Sequence, residues 1–234
     1  SYDYYGYRIA VGDATGDGIA YVLVHAGNGE AAKGPSNTGA VLVFAGRKGQ
    51  MPLKTPTRVV AGLSGGDYFG LGMAAIADVD GDKKPELVAY AGLDDSVGYN
   101  VGRPYYVPSK AGAKMQPMQM PAKPSGNRFG WHSRFVGDLN GDGFDDLAIS
   151  ASQDAGNKAA MGAKPINVGT RAGTTYVFKG TASGVDVSQP AWRAGGFYGH
   201  SGHDYLGWRV ARGGDFDGDG IRDFAVLARY EDRP

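Results

Sequence analysis

The chain has no cysteine, only four histidines, and no net charge, since 24 basic side chains balance 24 acidic ones over 234 residues. Without cysteine there are no disulfides and no thiolate metal sites, although this alone selects no compartment. Zero net charge removes the long-range attraction that draws proteins to nucleic acid or anionic membranes. No apolar run approaches the roughly 18 residues of a membrane helix, so direct membrane insertion is not expected. The start at Ser1 lacks a signal peptide, as a mature or excised chain would. Missing too are a nucleophile elbow, an HExxH helix and a phosphate-cradling glycine loop, and no enzyme activity is expected.

What the chain has in excess is glycine, 40 of its 234 residues, more than twice the usual share of about 7%. With 42% hydrophobic and 11% aromatic residues, the composition is that of a turn-rich β protein with a sizeable core.

Seven of these glycines fall in one recurring acidic loop. Its clear copies are Asp78 to Glu86 (DVDGDKKPE), Asp138 to Asp146 (DLNGDGFDD) and Asp215 to Asp223 (DFDGDGIRD), and a degenerate copy runs from Asp13 to Tyr21 (DATGDGIAY). Oxygen side chains at loop positions 1, 3 and 5, with a sharp turn at position 6, converge on one point. That donor set suits a hard cation. Calcium accepts six to eight oxygens in irregular geometry, whereas magnesium demands a near-octahedral site, so Ca2+ is the expected ion. The ligand set is Asp78, Asp80, Asp82, the Lys84 carbonyl and Glu86; Asp138, Asn140, Asp142, the Phe144 carbonyl and Asp146; and Asp215, Asp217, Asp219, the Ile221 carbonyl and Asp223. Asp13, Thr15 and Asp17 form a fourth, weaker set, because Tyr21 stands where the others have an acid. Turn formation by itself accounts for Asp, Asn and Gly, but not for a carboxylate held at position 9. The first six positions match an EF-hand loop, yet that loop needs a glutamate at position 12 and flanking helices, and here the flanks are short apolar runs. In the second loop Lys83 replaces glycine at position 6, at a cost on the order of 1 kcal/mol.

The loops begin at 13, 78, 138 and 215, spacings of 65, 60 and 77 residues that suit a four-stranded sheet per repeat. An aromatic or apolar residue and a glycine precede each: Tyr5-Gly6, Phe69-Gly70, Phe129-Gly130 and Leu206-Gly207. Second strands are expected over 19–25, 87–91, 147–151 and 224–230, third strands over 38–44, 102–107 and 172–178, and fourth strands around 57–61, 115–121 and 191–195. Pro117 marks the second of these as an outer edge. Eleven of the 24 acids stand at the ligand positions of the three clear loops, which with cations bound leaves a basic remainder that includes Lys110, Lys114 and Lys123, read as a solvated outer strand.

The Phe-Gly step, the Asp-x-Asp/Asn-x-Asp-Gly-x-x-Asp loop and the Gly-Ala-Val-x-Val-Phe third strand together resemble the FG-GAP repeats of the integrin α-subunit propeller and of bacterial surface proteins. The resemblance covers nearly the whole chain. It implies an all-β propeller of four-stranded antiparallel blades, with structural calcium loops joining the first two strands of each blade. The repeats are 1–68, 69–128 and 129–205, with an incomplete fourth at 206–234, about three and a half blades of a seven-bladed ring. The rest of the ring is then expected from the same precursor or another chain.

By the same resemblance, ligands are gripped at the face opposite the loops. The long connection 152–171 offers Asp154, Asn157, Lys158, Lys164 and Arg171. His200 and His203 are a second candidate, without a third metal ligand at a diagnostic spacing. Trp131 and Trp208 occupy equivalent places after the Phe/Leu-Gly step, which argues for packing, with sugar stacking as the alternative. The leading expectation is a calcium-stabilised binding module for a protein or glycan partner, placed outside the cell, at its surface or in a periplasm, where calcium is abundant. The alternatives are a domain of a secreted polysaccharide- or phospholipid-acting enzyme and a structural spacer in a surface assembly.

Overall fold

A computed structural model describes residues 5–27, 35–50, 54–96, 101–110, 112–119, 129–153, 173–195 and 205–229, without the side chains of 73–76 and 194–195. All regular structure among them is β, in fourteen strands: β1 (Ile9–Gly12), β2 (Tyr21–Ala26), β3 (Ala40–Phe44), β4 (Arg58–Ala61), β5 (Phe69–Ala77), β6 (Glu86–Ala91), β7 (Arg103–Val107), β8 (Gln116–Pro117), β9 (Phe129–Gly137), β10 (Asp146–Ala151), β11 (Thr174–Phe178), β12 (Trp192–Gly195), β13 (Arg209–Arg212) and β14 (Phe224–Leu227). They form three antiparallel four-stranded meanders in sequence order and a two-stranded β13-β14 sheet. These are propeller blades, and each acidic loop joins the first and second strands of its blade.

The chain divides into two compact units, Ser1–Met118 and Gln119–Pro234. In the first, the β1–β4 and β5–β8 sheets share a core of Leu23, Val41, Val43, Val60, Phe69, Leu87, Ala89, Tyr105 and Val107. In the second, Val136, Ala148 and Val177 of the third sheet pack with Val210 and Phe224 of the fourth. Second strands read as unbroken apolar runs because both of their faces are covered: β6 and β10 are buried at every position.

Second, third and fourth strands start or stop within a few residues of the expected ranges, with two differences. β5 and β9 begin at the Phe-Gly step itself, which therefore lies inside the strand and is accommodated by register shifts against β6 and β10. β8 shrinks to Gln116–Pro117 because Pro117 has no N–H to extend the ladder, and it lies at the outer edge as its proline requires.

The Phe of that step packs inward on its own third strand, Phe69 against Tyr105 and Phe129 against Tyr176, with ring centroids 6.2 and 5.6 Å apart. Its glycine faces the neighbouring sheet. A β-carbon on Gly70 would lie 2.9 Å from a Val41 methyl and 3.0 Å from the His25 ring, and one on Gly207 would lie 2.7 Å from Ser150 Cβ. His25 and Ser150 are equivalent residues of β2 and β10, so the same close approach is built once in each unit.

Candidate metal loops and opposite face

Four loops with one hydrogen-bond plan underlie the candidate site. The position 1 aspartate turns inward and one oxygen accepts the N–H of position 6: Gly18 to Asp13 (2.8 Å), Lys83 to Asp78 (3.1 Å), Gly143 to Asp138 (2.7 Å) and Gly220 to Asp215 (2.9 Å). The position 5 aspartate accepts the N–H of position 7 in every copy, from Ile19, Lys84, Phe144 and Ile221 to Asp17, Asp82, Asp142 and Asp219. Position 6 therefore needs a positive φ, which Gly18, Gly143 and Gly220 adopt freely and Lys83 adopts at 61°.

The position 9 acid has a role that turn chemistry did not anticipate. It accepts the N–H of position 2: Val79 to Glu86 (2.7 Å), Leu139 to Asp146 (2.9 Å) and Phe216 to Asp223 (2.6 Å). In the third loop its other oxygen takes the Gly180 N–H from beyond β11. The carboxylate thus ties the loop shut and anchors it to its blade, which the phenol of Tyr21 does not do in the first copy.

Carboxylate oxygens of Asp78, Asp80 and Glu86 lie within 4.8 Å of one another, as do those of Asp215, Asp217 and Asp223. In the third loop Asn140 supplies an amide at position 3, and its Nδ2 donates to Asp142 at 2.9 Å.

A cation fits the chemistry of these donors. In the second loop Asp78 Oδ1 and Glu86 Oε1 are buried without a hydrogen-bond partner, as is Thr15 Oγ1 in the first. Burial pushes the Glu86 carboxyl up to about 7, against the nearby Ser109 hydroxyl and the Val79 N–H bond and with help from the Asp80 and Asp82 charges. Burial likewise raises Asp146. At Asp138, burial is outweighed by the N–H groups of Gly143, Asn140, Gly141 and Asp142, which hold its carboxyl below the ordinary range. Buried carboxylates beside one another are costly unless a cation or donors compensate. The second loop also draws in Ser109, whose hydroxyl donates to Asp82 at 3.1 Å; it lies outside the nine-residue loop, so no motif pointed to it.

At the far ends of the sheets, Asp94 is buried and accepts from the Tyr105 hydroxyl and from the Ser96 N–H, bracing the β6–β7 connection. Trp208 is half-buried, with the Arg229 guanidinium 4.2 Å above its ring and Tyr205 at its edge. Trp131 is half-buried too, whereas Trp192, which no motif singled out, is 44% exposed. Lys110 and Lys114 are exposed, in keeping with a solvated edge. Asp154, Asn157, Lys158, Lys164, Arg171, His200, His203 and Lys123 lie outside the described residues.

Residues 129–178 match the FG-GAP repeat family. Over 97% of its length the chain is similar to mouse integrin alpha-E at 29% identity, to Caenorhabditis briggsae integrin alpha pat-2 at 27% and to Xenopus laevis integrin alpha-5 at 29%. It spans 18 to 20% of the length of these relatives. Residues 129–178 are thus an FG-GAP repeat set among sheets of propeller-blade topology, and the chain is similar in sequence to the integrin α chains along almost its entire length.

Proposed function

We propose that the chain is a calcium-stabilised adhesion module, displayed outside the cell, that binds a protein partner without catalysis through the ends of its sheets away from the acidic loops. The observation that carries this reading is the convergence of the loop carboxylates at positions 1, 3 and 9, with buried oxygens left unpaired, in a chain similar to integrin α chains. The three clear loops would each hold one Ca2+ through the side chains at positions 1, 3, 5 and 9 and the carbonyl at position 7. Asp13, Thr15 and Asp17 would form a weaker fourth site. The ion's role is structural, neutralising carboxylates that otherwise repel one another. The remaining blades of the ring would come from the same precursor or another chain, a reading supported by the outer edge of β14, which pairs with no strand among the described residues.

A protein partner is favoured over a glycan because Arg229 covers one face of Trp208, leaving it poorly placed to stack on a sugar. The test is retention of intact cells by the immobilised chain in calcium and their release by EDTA. Loss of retention after the cells are shaved with protease supports a protein partner. Binding on a glycan array with none to shaved-protein targets overturns it, and absence of any retention favours a spacer.

A further inference from the structure

At the end of β2 away from the acidic loop, His25 is 1% exposed and neither ring nitrogen has a hydrogen-bond partner. The equivalent residues of the other complete sheets do have partners. Tyr90 donates its hydroxyl to the Val101 carbonyl at 3.4 Å, and Ser150 donates to the His132 carbonyl at 3.0 Å while accepting the His132 N–H. A buried polar group left unsatisfied costs about 1–3 kcal/mol, and among the described residues only the first sheet bears that cost at this position.

The ring is fully buried, yet it borders open space on one side. It forms part of the wall of a cavity of about 300 Å³ within the first unit, together with Tyr7, Tyr68, Leu71 and Leu93. Tyr7 meets the imidazole edge-on, with centroids 6.4 Å apart, and is itself 55% exposed. Arg8 braces the rim from the first sheet to the second, with its Nε donating to the Leu71 carbonyl at 3.1 Å and its guanidinium 5.1 Å from the Tyr7 ring. Burial, with the Arg8 charge adding to it, lowers the His25 pKa to about 4, so near neutrality the ring is uncharged and offers one donor and one acceptor.

We infer that this cavity is a binding pocket for an aromatic ring carrying one hydrogen-bonding group, of the kind a tyrosine side chain of a partner protein presents. Aromatic and aliphatic walls suit a flat apolar body, and the unpartnered imidazole among them fixes its orientation, the usual design of a small-ligand pocket. A phenol hydroxyl donates to the unprotonated nitrogen of His25 and its ring packs between Tyr7, Tyr68 and Leu71. Sugars fit poorly, because their several hydroxyls would meet mostly carbon. The inference rests on the proposed adhesion reading only in placing the pocket on the face away from the loops.

The test is a titration of the intact chain with p-cresol, read on the His25 imidazole resonances, which are assigned by their loss in His25→Gln. The expected result is a saturable shift with a Kd in the millimolar range, about what a ligand of this size reaches. Toluene, which lacks the hydroxyl, should bind at least about fivefold more weakly, roughly one hydrogen bond's worth. Tyr7→Ala, at an exposed position, should weaken p-cresol at least fivefold with an unchanged melting curve. No His25 shift with p-cresol, equal binding of toluene, or a stronger response to methyl glucoside overturns the inference. Because the readout is His25 alone, such a failure leaves the adhesion reading standing, and failure of cell retention leaves this pocket standing.

Discussion

Lys83 shows how a single residue bears the geometry of a whole loop. Its φ of 61° matches the 80° to 91° of Gly18, Gly143 and Gly220 at the same loop position, because its N–H must reach Asp78. A side chain in this left-handed region costs roughly 1–2 kcal/mol, partly offset by the greater freedom of glycine in the unfolded chain. Lys83→Gly should therefore stabilise the protein by up to about 1 kcal/mol in urea unfolding. At His25 the relevant quantity is pH. Its folded pKa, about 4, lies below the ordinary 6.5, so between those values the unfolded chain binds a proton that the folded one refuses. The stability is complete above about pH 6.5 and is lost as pH falls through about 4, by about 3 kcal/mol. Among the described residues, Arg8, Tyr7 and Tyr68 are the titratable groups near the ring, and the Arg8 charge acts on it. His25→Leu should flatten this part of the profile, measured as the difference in urea midpoint between variant and parent from pH 7 to pH 4.

Between elements, glycines set how closely adjacent blades stack within each unit. Gly39, ahead of β3, has a φ of 76°, and a β-carbon there would lie 2.4 Å from the backbone of Phe69 at the start of β5. Gly173, ahead of β11, repeats this against Leu206, 2.2 Å from its carbonyl oxygen, and the two residues form a parallel bridge. Gly39→Ala and Gly173→Ala should each cost about 2–4 kcal/mol, since backbone meets backbone and neither can yield. Gly49→Ala, at a φ of 68° with open space around it, should cost only about 1 kcal/mol. Equal costs at the three positions in thermal unfolding would contradict the stacking role. The loops and the strands beside them were legible in the sequence because their chemistry demands particular atoms at fixed offsets: oxygens at positions 1, 3, 5 and 9, and buried apolar runs after them. The Phe-Gly step was visible as a repeat, but its place inside β5 and β9 was not, since it follows from contacts between sheets. His25 gave no signal either. One histidine in the apolar run Tyr21–Ala26 reads as core, and its missing partner depends on what the neighbouring sheet places opposite it.

For the molecule as a whole, the proposed cation sites bear on the stability of each blade. Eleven of the 24 acids stand at the ligand positions of three loops, and in the second the Asp78, Asp80 and Glu86 oxygens crowd within 4.8 Å with two carboxylate oxygens of the loop buried and unpaired. With Ca2+ bound, the attraction of a divalent charge replaces this repulsion, and because the unfolded chain has no such cluster, binding favours the folded state. Each site at a calcium concentration one hundred times its Kd adds about 2.7 kcal/mol. Three sites acting on a chain of this size should move the melting temperature by roughly 10 °C or more. Excess EDTA should lower it by that amount, calcium should restore it, and magnesium should restore much less, because it resists giving up its water for an irregular oxygen cage. Asp215→Ala should remove one part of the response and leave the rest, whereas Asp13→Ala should change it little, since Tyr21 gives the first loop no closing carboxylate. A melting curve indifferent to EDTA would reduce these loops to turns held by their own hydrogen bonds. A response of equal size to calcium and magnesium would keep the cation and discard the calcium assignment.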